Sequence, residues 1–157
     1  MRNHSPRIFV MDDEQSFLDE MSEMLTLSGY HVETSSQNEN VLEKIKSFNP
    51  TLLLLDLKMT PRSGFQIADE IKHSDGWQEL PIIGMSGYFL EKEHLTLMNQ
   101  CSITTFLAKP FNPLNLIDTI EAVINEQSVR SFVQERRDAG MFLEMRPSMD
   151  ALRAVTT

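Results

Sequence analysis

Leu52-Leu53-Leu54-Leu55-Asp56, near the middle of the chain, is the stretch that decides the fold. Four consecutive leucines look like a strand buried on both faces, as the strands of a parallel sheet are. Three other short apolar runs end in the same way, on a polar group. Asp12 and Asp13 close Ile8-Phe9-Val10-Met11, and Ser86 closes Ile82-Ile83-Gly84-Met85. Lys109 follows Thr105-Phe106-Leu107-Ala108, with Pro110 directly after it. If these runs are neighbouring strands of one parallel sheet, all their polar groups emerge along one edge. Ligands of open α/β sheets bind at that edge, outside the carboxyl ends of the strands. Three acids gathered there need a cation to hold them together, and a lysine and a hydroxyl beside them suit a transferable phosphoryl group.

Between these runs the apolar period changes to that of helices. Phe17, Met21, Met24 and Leu25 form one helical face, stopped by Gly29, and His31 to Ser35 is a weaker strand. Val41, Leu42, Ile45 and Phe48 form the next face, ending before Pro50. Gly64 to Asp75 continues as a helix through Phe65, Ala68 and Ile71, and a short helix is expected near Glu91–Asn99. The last helix opens at Pro113, with Asn112 as its N-cap and proline at the first helical position. Five strands thus alternate with five helices. Right-handed crossovers favour a doubly wound α/β sheet in the order 2-1-3-4-5.

At 157 residues, 41% hydrophobic and 24% charged, the chain fits one globular domain with a sizeable core. A single cysteine, Cys101, rules out an internal disulfide and reads as a buried or half-buried thiol of a cytosolic protein rather than a nucleophile. No apolar stretch approaches the ~20 residues of a membrane helix. Met1 to Pro6 lacks the apolar segment of a signal peptide, so a cytoplasmic protein is expected. Net charge is −9; residues 128–157 hold five arginines against four acids, which leaves −10 on the first 127 residues. So acidic a body is a poor binder of phosphate backbones, and direct nucleic-acid binding is not expected. The four histidines have no ligand spacing with one another or with Cys101, so no zinc site is expected.

Mg²⁺ prefers oxygen ligands and commonly takes one or two carboxylates plus waters and a phosphate. Asp12, Asp13 and Asp56 could supply those carboxylates directly or through water. Taken singly, each group has a plainer reading. Asp13 could cap the helix beginning near Gln15, Asp56 could merely end a strand, Ser86 could be a turn serine before Gly87, and Lys109 a solvated turn lysine. All five on matching strand ends favour a reaction centre over coincidence. The bond before Pro110 can adopt the cis form at little cost, which could aim the ammonium back at the sheet edge.

The paired acids of Val10-Met11-Asp12-Asp13-Glu14, the aspartate of Leu55-Asp56-Leu57-Lys58-Met59, Ser86-Gly87 and Lys109-Pro110-Phe111 resemble the receiver domain of two-component response regulators. Thirty residues separate Asp56 from Ser86 and twenty-three separate Ser86 from Lys109, which suits that family. The resemblance covers about residues 5–127, with 128–157 as a helical extension and tail. It implies a flavodoxin-like (βα)5 fold and a phosphorelay in which Asp56 takes a phosphoryl group from the phosphohistidine of a sensor kinase or phosphotransfer protein. By the same resemblance Asp13, Asp56 and the backbone carbonyl of Lys58 ligate Mg²⁺, and Asp12 assists through water. Lys109 then pairs with the phosphoryl oxygens, Ser86 hydrogen-bonds to one of them, and Phe106 takes the place of a switching aromatic.

Some positions depart from the family pattern. Thr60 stands where a proline is expected after Asp56, with Pro61 one residue later, though Met59 and Gly64 fall in place. Phe106 replaces a frequent tyrosine and offers no phenolic hydrogen bond; it is either a switch residue or an ordinary strand aromatic. Lys58 and Tyr88 flank the site where access of water is tuned.

Rival classes lack their motifs. Phosphohydrolases that form aspartyl phosphates resemble a D-x-D motif, but Lys58 stands at its second acid. Neither phosphate-binding glycine motif occurs, and no flavin phosphate loop follows the first strand. A signalling domain rather than a turnover enzyme is therefore expected, acting on a downstream target protein, with a homodimer also allowed. The alternative is the receiver piece of a larger DNA-binding or enzymatic regulator, which would place a long further domain after residue 127. The resemblance to receivers further implies an output face around the fourth helix, fifth strand and fifth helix, which here would include Glu91, His94, Leu95, Phe106 and residues near Asn115–Thr119. Helix is expected to continue through Val129, Phe132 and Val133 to about Asp138, with Met141–Thr157 loosely ordered.

Overall fold

A computed structural model describes residues 5–87, 96 and 99–138, the last eight as backbone only. Five strands, β1 (Arg7–Met11), β2 (His31–Ser35), β3 (Leu52–Asp56), β4 (Ile82–Ser86) and β5 (Thr105–Ala108), form one sheet in the order β2-β1-β3-β4-β5. Every neighbouring pair is parallel. Helices α1 (Gln15–Leu27), α2 (Val41–Phe48) and α3 (Gly64–Lys72) connect the first four strands, and α4 (Pro113–Asp138) closes the described chain. Order and direction are those of the expected flavodoxin-like doubly wound sheet. The expected helix near Glu91–Asn99, together with Tyr88, His94 and Leu95, falls mostly outside the described residues, as does Met141–Thr157.

The chain divides into two compact units, residues 1–111 and 112–157. In the first, β3 is the central strand and all five of its residues are buried. Burial of each leucine contributes roughly 1.5–3 kcal/mol relative to an exposed position. One sheet face carries Phe9, Met11, Leu53 and Leu55 against Val41 and Ile45 of α2 and Ile67, Ala68 and Ile71 of α3. By the alternation of strand side chains, Ile8, Val10, Leu52, Leu54, Ile83 and Met85 line the other face. Helix α1 packs there along β1 and β2 through Leu18, Met21 and Leu25. Leu18 takes the centre of the α1 face, so Phe17 and Met24 lie at its half-buried margins rather than on it. Helix α3 stops three residues short of the expected Asp75: the Ser74 hydroxyl donates back to the Glu70 carbonyl, and Gly76 turns the chain with φ of +86°.

In the second unit, the Asn112 carboxamide oxygen accepts from the Leu114 N–H at 2.8 Å, the cap that the Asn-Pro pair predicts. Leu116, Ile120 and Val123 form the buried stripe of α4. None of the described helices is long and apolar enough to cross a membrane.

The start of α3 sits directly on the end of β3. A Cβ added at Gly64 would lie 2.3 Å from the Asp56 carbonyl oxygen and 2.8 Å from the Leu57 Cα, both backbone atoms that cannot swing aside. Only glycine permits this approach. Gly64→Ala should therefore destabilise the protein by roughly 1–3 kcal/mol, read as a lowered urea midpoint with an unchanged slope. An unshifted midpoint would show that the loop between β3 and α3 yields freely.

Candidate functional site

The register of the sheet sets its polar ends side by side. Met11 pairs with Leu55 and with Ser35, Asp56 with Met85, and Ser86 with Ala108, so the residues that follow the apolar runs share the carboxyl edge. Carboxylate oxygens of Asp12, Asp13 and Asp56 all lie within 4.8 Å of one another. Asp12 and Asp56 are buried, as is Ser86, while Asp13 is exposed. Neither acid of the pair serves as the side-chain cap of α1: the N-cap is Glu14, which makes no side-chain cap bond. Asp12 instead accepts from the Glu14 N–H at 2.9 Å, which fixes one carboxylate oxygen and leaves the other facing the cluster's cation.

That cation is Lys109, whose ammonium forms an ion pair with the second oxygen of Asp12. The backbone N–H of Lys109 donates to the Ser86 carbonyl at 2.8 Å, tying the end of β5 to β4. The Lys109–Pro110 bond is cis, and so is Thr60–Pro61 in the loop whose proline comes one residue late. The same ammonium lies 4.0 Å from the centre of the Phe17 ring. Sequence reasoning placed Phe17 on the core face of α1 and gave it no part in the site. Phe106 is half-buried on β5 and packs against the main core cluster.

The loop after Asp56 is held from several sides. The Lys58 N–H donates to one Asp56 oxygen at 3.1 Å, and the Leu57 N–H to the Met85 carbonyl at 2.9 Å. Buried Asn38, in the loop after β2, donates its amide to the Arg62 carbonyl at 2.9 Å, and Arg62 pairs with Glu70 of α3. Asn38 was not legible as a site-supporting residue, since its partner is 24 positions away and belongs to the backbone.

Burial holds the Asp56 carboxyl above its usual pKa; the Lys58 N–H opposes this, Asp12 adds to it, Lys109 opposes and Asp13 adds. Three carboxylates facing one ammonium make a site short of positive charge. Three clustered carboxylates are the donor set of a hard, oxygen-seeking divalent ion, so the residues fit Mg²⁺. Cys101 is buried too, and burial first, then Asp69, raises its thiol, which suits a packed side chain and not a nucleophile.

The family model of the response regulator receiver domain matches residues 8–121. The chain belongs to that family. It is 30% identical over 122 residues to response regulator RR06 of Streptococcus pneumoniae, covering 78% of this chain and 54% of that protein. The chain spans about half the length of the curated relatives it matches first. Among solved structures, NtrX of Brucella abortus superposes with a TM-score of 0.78 at 25% identity, covering 96% of this chain and 34% of NtrX. The chemotaxis protein CheY4 of Vibrio cholerae superposes at 0.72 and 24% identity, covering 76% of this chain and 99% of CheY4; that likeness shows the fold. The protein is thus a receiver domain of two-component response regulators.

The raised Asp56 pKa has a consequence for stability. The folded state holds a proton there more tightly than the unfolded chain, so protonation favours the fold. That contribution is complete below the unfolded pKa and is lost as pH rises through the folded one. In EDTA at neutral pH, Asp56→Asn should therefore melt above the wild type, by a margin that shrinks at acidic pH. Mg²⁺ should raise the wild-type melting temperature, by roughly 2.7 kcal/mol of stability at a hundred times its Kd, and that of Asp56→Asn far less. A variant melting below the wild type in EDTA at neutral pH would contradict this charge balance.

Proposed function

We propose that Asp56 is the phosphoacceptor of this receiver, charged by the phosphohistidine of a sensor histidine kinase or phosphotransfer protein. The observation that carries the reading is the gathering of three strand-end carboxylates within 4.8 Å, with Lys109 on one of them. Asp13, Asp56 and the backbone carbonyl of Lys58 would hold Mg²⁺, with Asp12 assisting through water. Bound there, the ion supplies positive charge to the oxygens of the transferred phosphoryl group.

The remaining work falls to the chain's own residues. An Asp56 oxygen donates its electron pair to phosphorus as the N–P bond of the phosphohistidine breaks, and that bond's pair leaves with the imidazole. Charge spreads over the equatorial oxygens during transfer, so the residues around them act by position and by charge. Lys109 exchanges Asp12 for a phosphoryl oxygen, and the Ser86 hydroxyl hydrogen-bonds to another. Because each contact exists only with the phosphoryl group present, the two residues bias a second arrangement of the surrounding loops. Phe106, opposite Gly84 in the neighbouring strand and two residues before the one that pairs with Ser86, follows that rearrangement.

The receiver occupies residues 5–127, and α4 continues beyond it to Asp138. The protein signals in the cytoplasm by contact with a downstream target, or with a second copy of itself, and does not bind nucleic acid directly. Its chemistry is self-catalysed phosphotransfer and dephosphorylation, without turnover of a separate substrate.

Incubation with acetyl phosphate and Mg²⁺ should add one phosphoryl group by mass, lost with EDTA and absent in Asp56→Asn. Undiminished labelling of Asp56→Asn would sink the assignment. Lys109→Ala should still fold and bind Mg²⁺ and should accept the group more slowly, yet lose the amide NMR shifts that phosphorylation causes in the wild type. Normal shifts in that variant would remove Lys109 from the coupling.

A further inference from the structure

We infer that Phe17 is a positioning residue for Lys109, holding the ammonium over the carboxylate cluster through the face of its ring; this rests on the phosphoacceptor reading of Asp56. The ammonium lies 4.0 Å from the ring centre while its charge is paired with Asp12. Phe17 is itself braced by Phe111, whose ring meets it edge to face at 6.0 Å and 77°. Phe111 follows Lys109-Pro110, so the lysine's own loop supports the ring on which the lysine rests.

Lys109 has two ionic duties that exclude one another. Without a phosphoryl group its partner is Asp12; with one, it must release Asp12 and turn to the new oxygens. An ionic partner that held the lysine firmly in both states would also neutralise the charge the reaction needs. An aromatic face attracts the ammonium through its quadrupole and leaves the hydrogen-bond donors free to change partner. The side chain of Lys109 is only 21% exposed, so water competes weakly for the contact. Phe17 thereby keeps the ammonium at the cluster while its anionic partner changes, which shortens the search for the phosphoryl oxygens. Helix α1 contributes this ring from its first turn, so the element that follows the acid pair also places the cation that faces it.

The test compares Phe17→Leu, which keeps apolar bulk without the π face, with Phe17→Tyr, which keeps the face. In the full-length protein without phosphodonor, the Lys109 ε-methylene protons should resonate upfield from the ring current. That shift should vanish in Phe17→Leu and persist in Phe17→Tyr. The initial rate of labelling by acetyl phosphate at saturating Mg²⁺ should fall roughly two- to fivefold in Phe17→Leu. It should stay near wild type in Phe17→Tyr, with Mg²⁺ affinity unchanged in both. In a Lys109→Ala background the Phe17→Leu change should have no further effect on the rate. Wild-type labelling of Phe17→Leu, or an equal loss in the Lys109→Ala background, would overturn this role alone. A wild-type protein that takes no label would overturn the phosphoacceptor reading and this role with it.

Discussion

Two buried carboxylates and one exposed one within 4.8 Å of each other set the terms for the whole carboxyl edge of the sheet. Close acids repel, and burial of Asp56 strengthens the repulsion by removing water that would screen it. The fold answers with Lys109, brought from 97 residues away to pair with Asp12. Three carboxylates still face one ammonium, and burial first, with Asp12 and Asp13 beside it, holds the Asp56 carboxyl above its usual pKa. A site left short of positive charge responds to a divalent cation and can use that cation's charge on an incoming phosphoryl group. The parallel sheet makes this possible because its central strands are fixed by apolar burial and by the backbone pairing with their neighbours. With β3 and β4 buried along their whole length, the strand ends carry polar groups without relying on them for the fold.

The same economy explains how the site is coupled to its surroundings. Asp56 ends β3, and its carbonyl lies against Gly64 at the start of α3. Its side chain accepts from Lys58, in a loop that Asn38 and Arg62 tie to the loop after β2 and to α3. Ser86 and Lys109 are joined through the backbone, so a pull on either hydroxyl or ammonium reaches the ends of both β4 and β5. Each of these links is short and local to the edge. A phosphoryl group on Asp56, as proposed, would have ready contacts through which to shift the loops around it, in proportion to how differently it binds the two arrangements.

Much of this was legible in the sequence because it depends on runs and ends. Four leucines closed by an aspartate identify the central strand, and the other apolar runs with their polar ends place Asp12, Asp13, Ser86 and Lys109 on one edge. Right-handed crossovers then leave little choice of strand order. What escaped reading depends on side-chain direction or on distant pairs. Phe17 and Leu18 are adjacent and both apolar, so helical spacing alone did not show that Leu18 is buried while Phe17 turns to the site. The bond from Asn38 to the Arg62 carbonyl has no sequence signal, since any residue offers that acceptor. The end of α3 moved because a serine hydroxyl turned back on its own helix, a competition that apolar periodicity does not register.

The central claim is that Asp56, and neither Asp12 nor Asp13, carries the phosphoryl group. An aspartyl phosphate is an acyl phosphate, and borohydride reduces it to the alcohol, converting the residue to homoserine. Peptide mapping of protein treated with acetyl phosphate and Mg²⁺ and then reduced should find homoserine at position 56 alone. Homoserine at position 12 or 13, with Asp56 intact, would contradict the account.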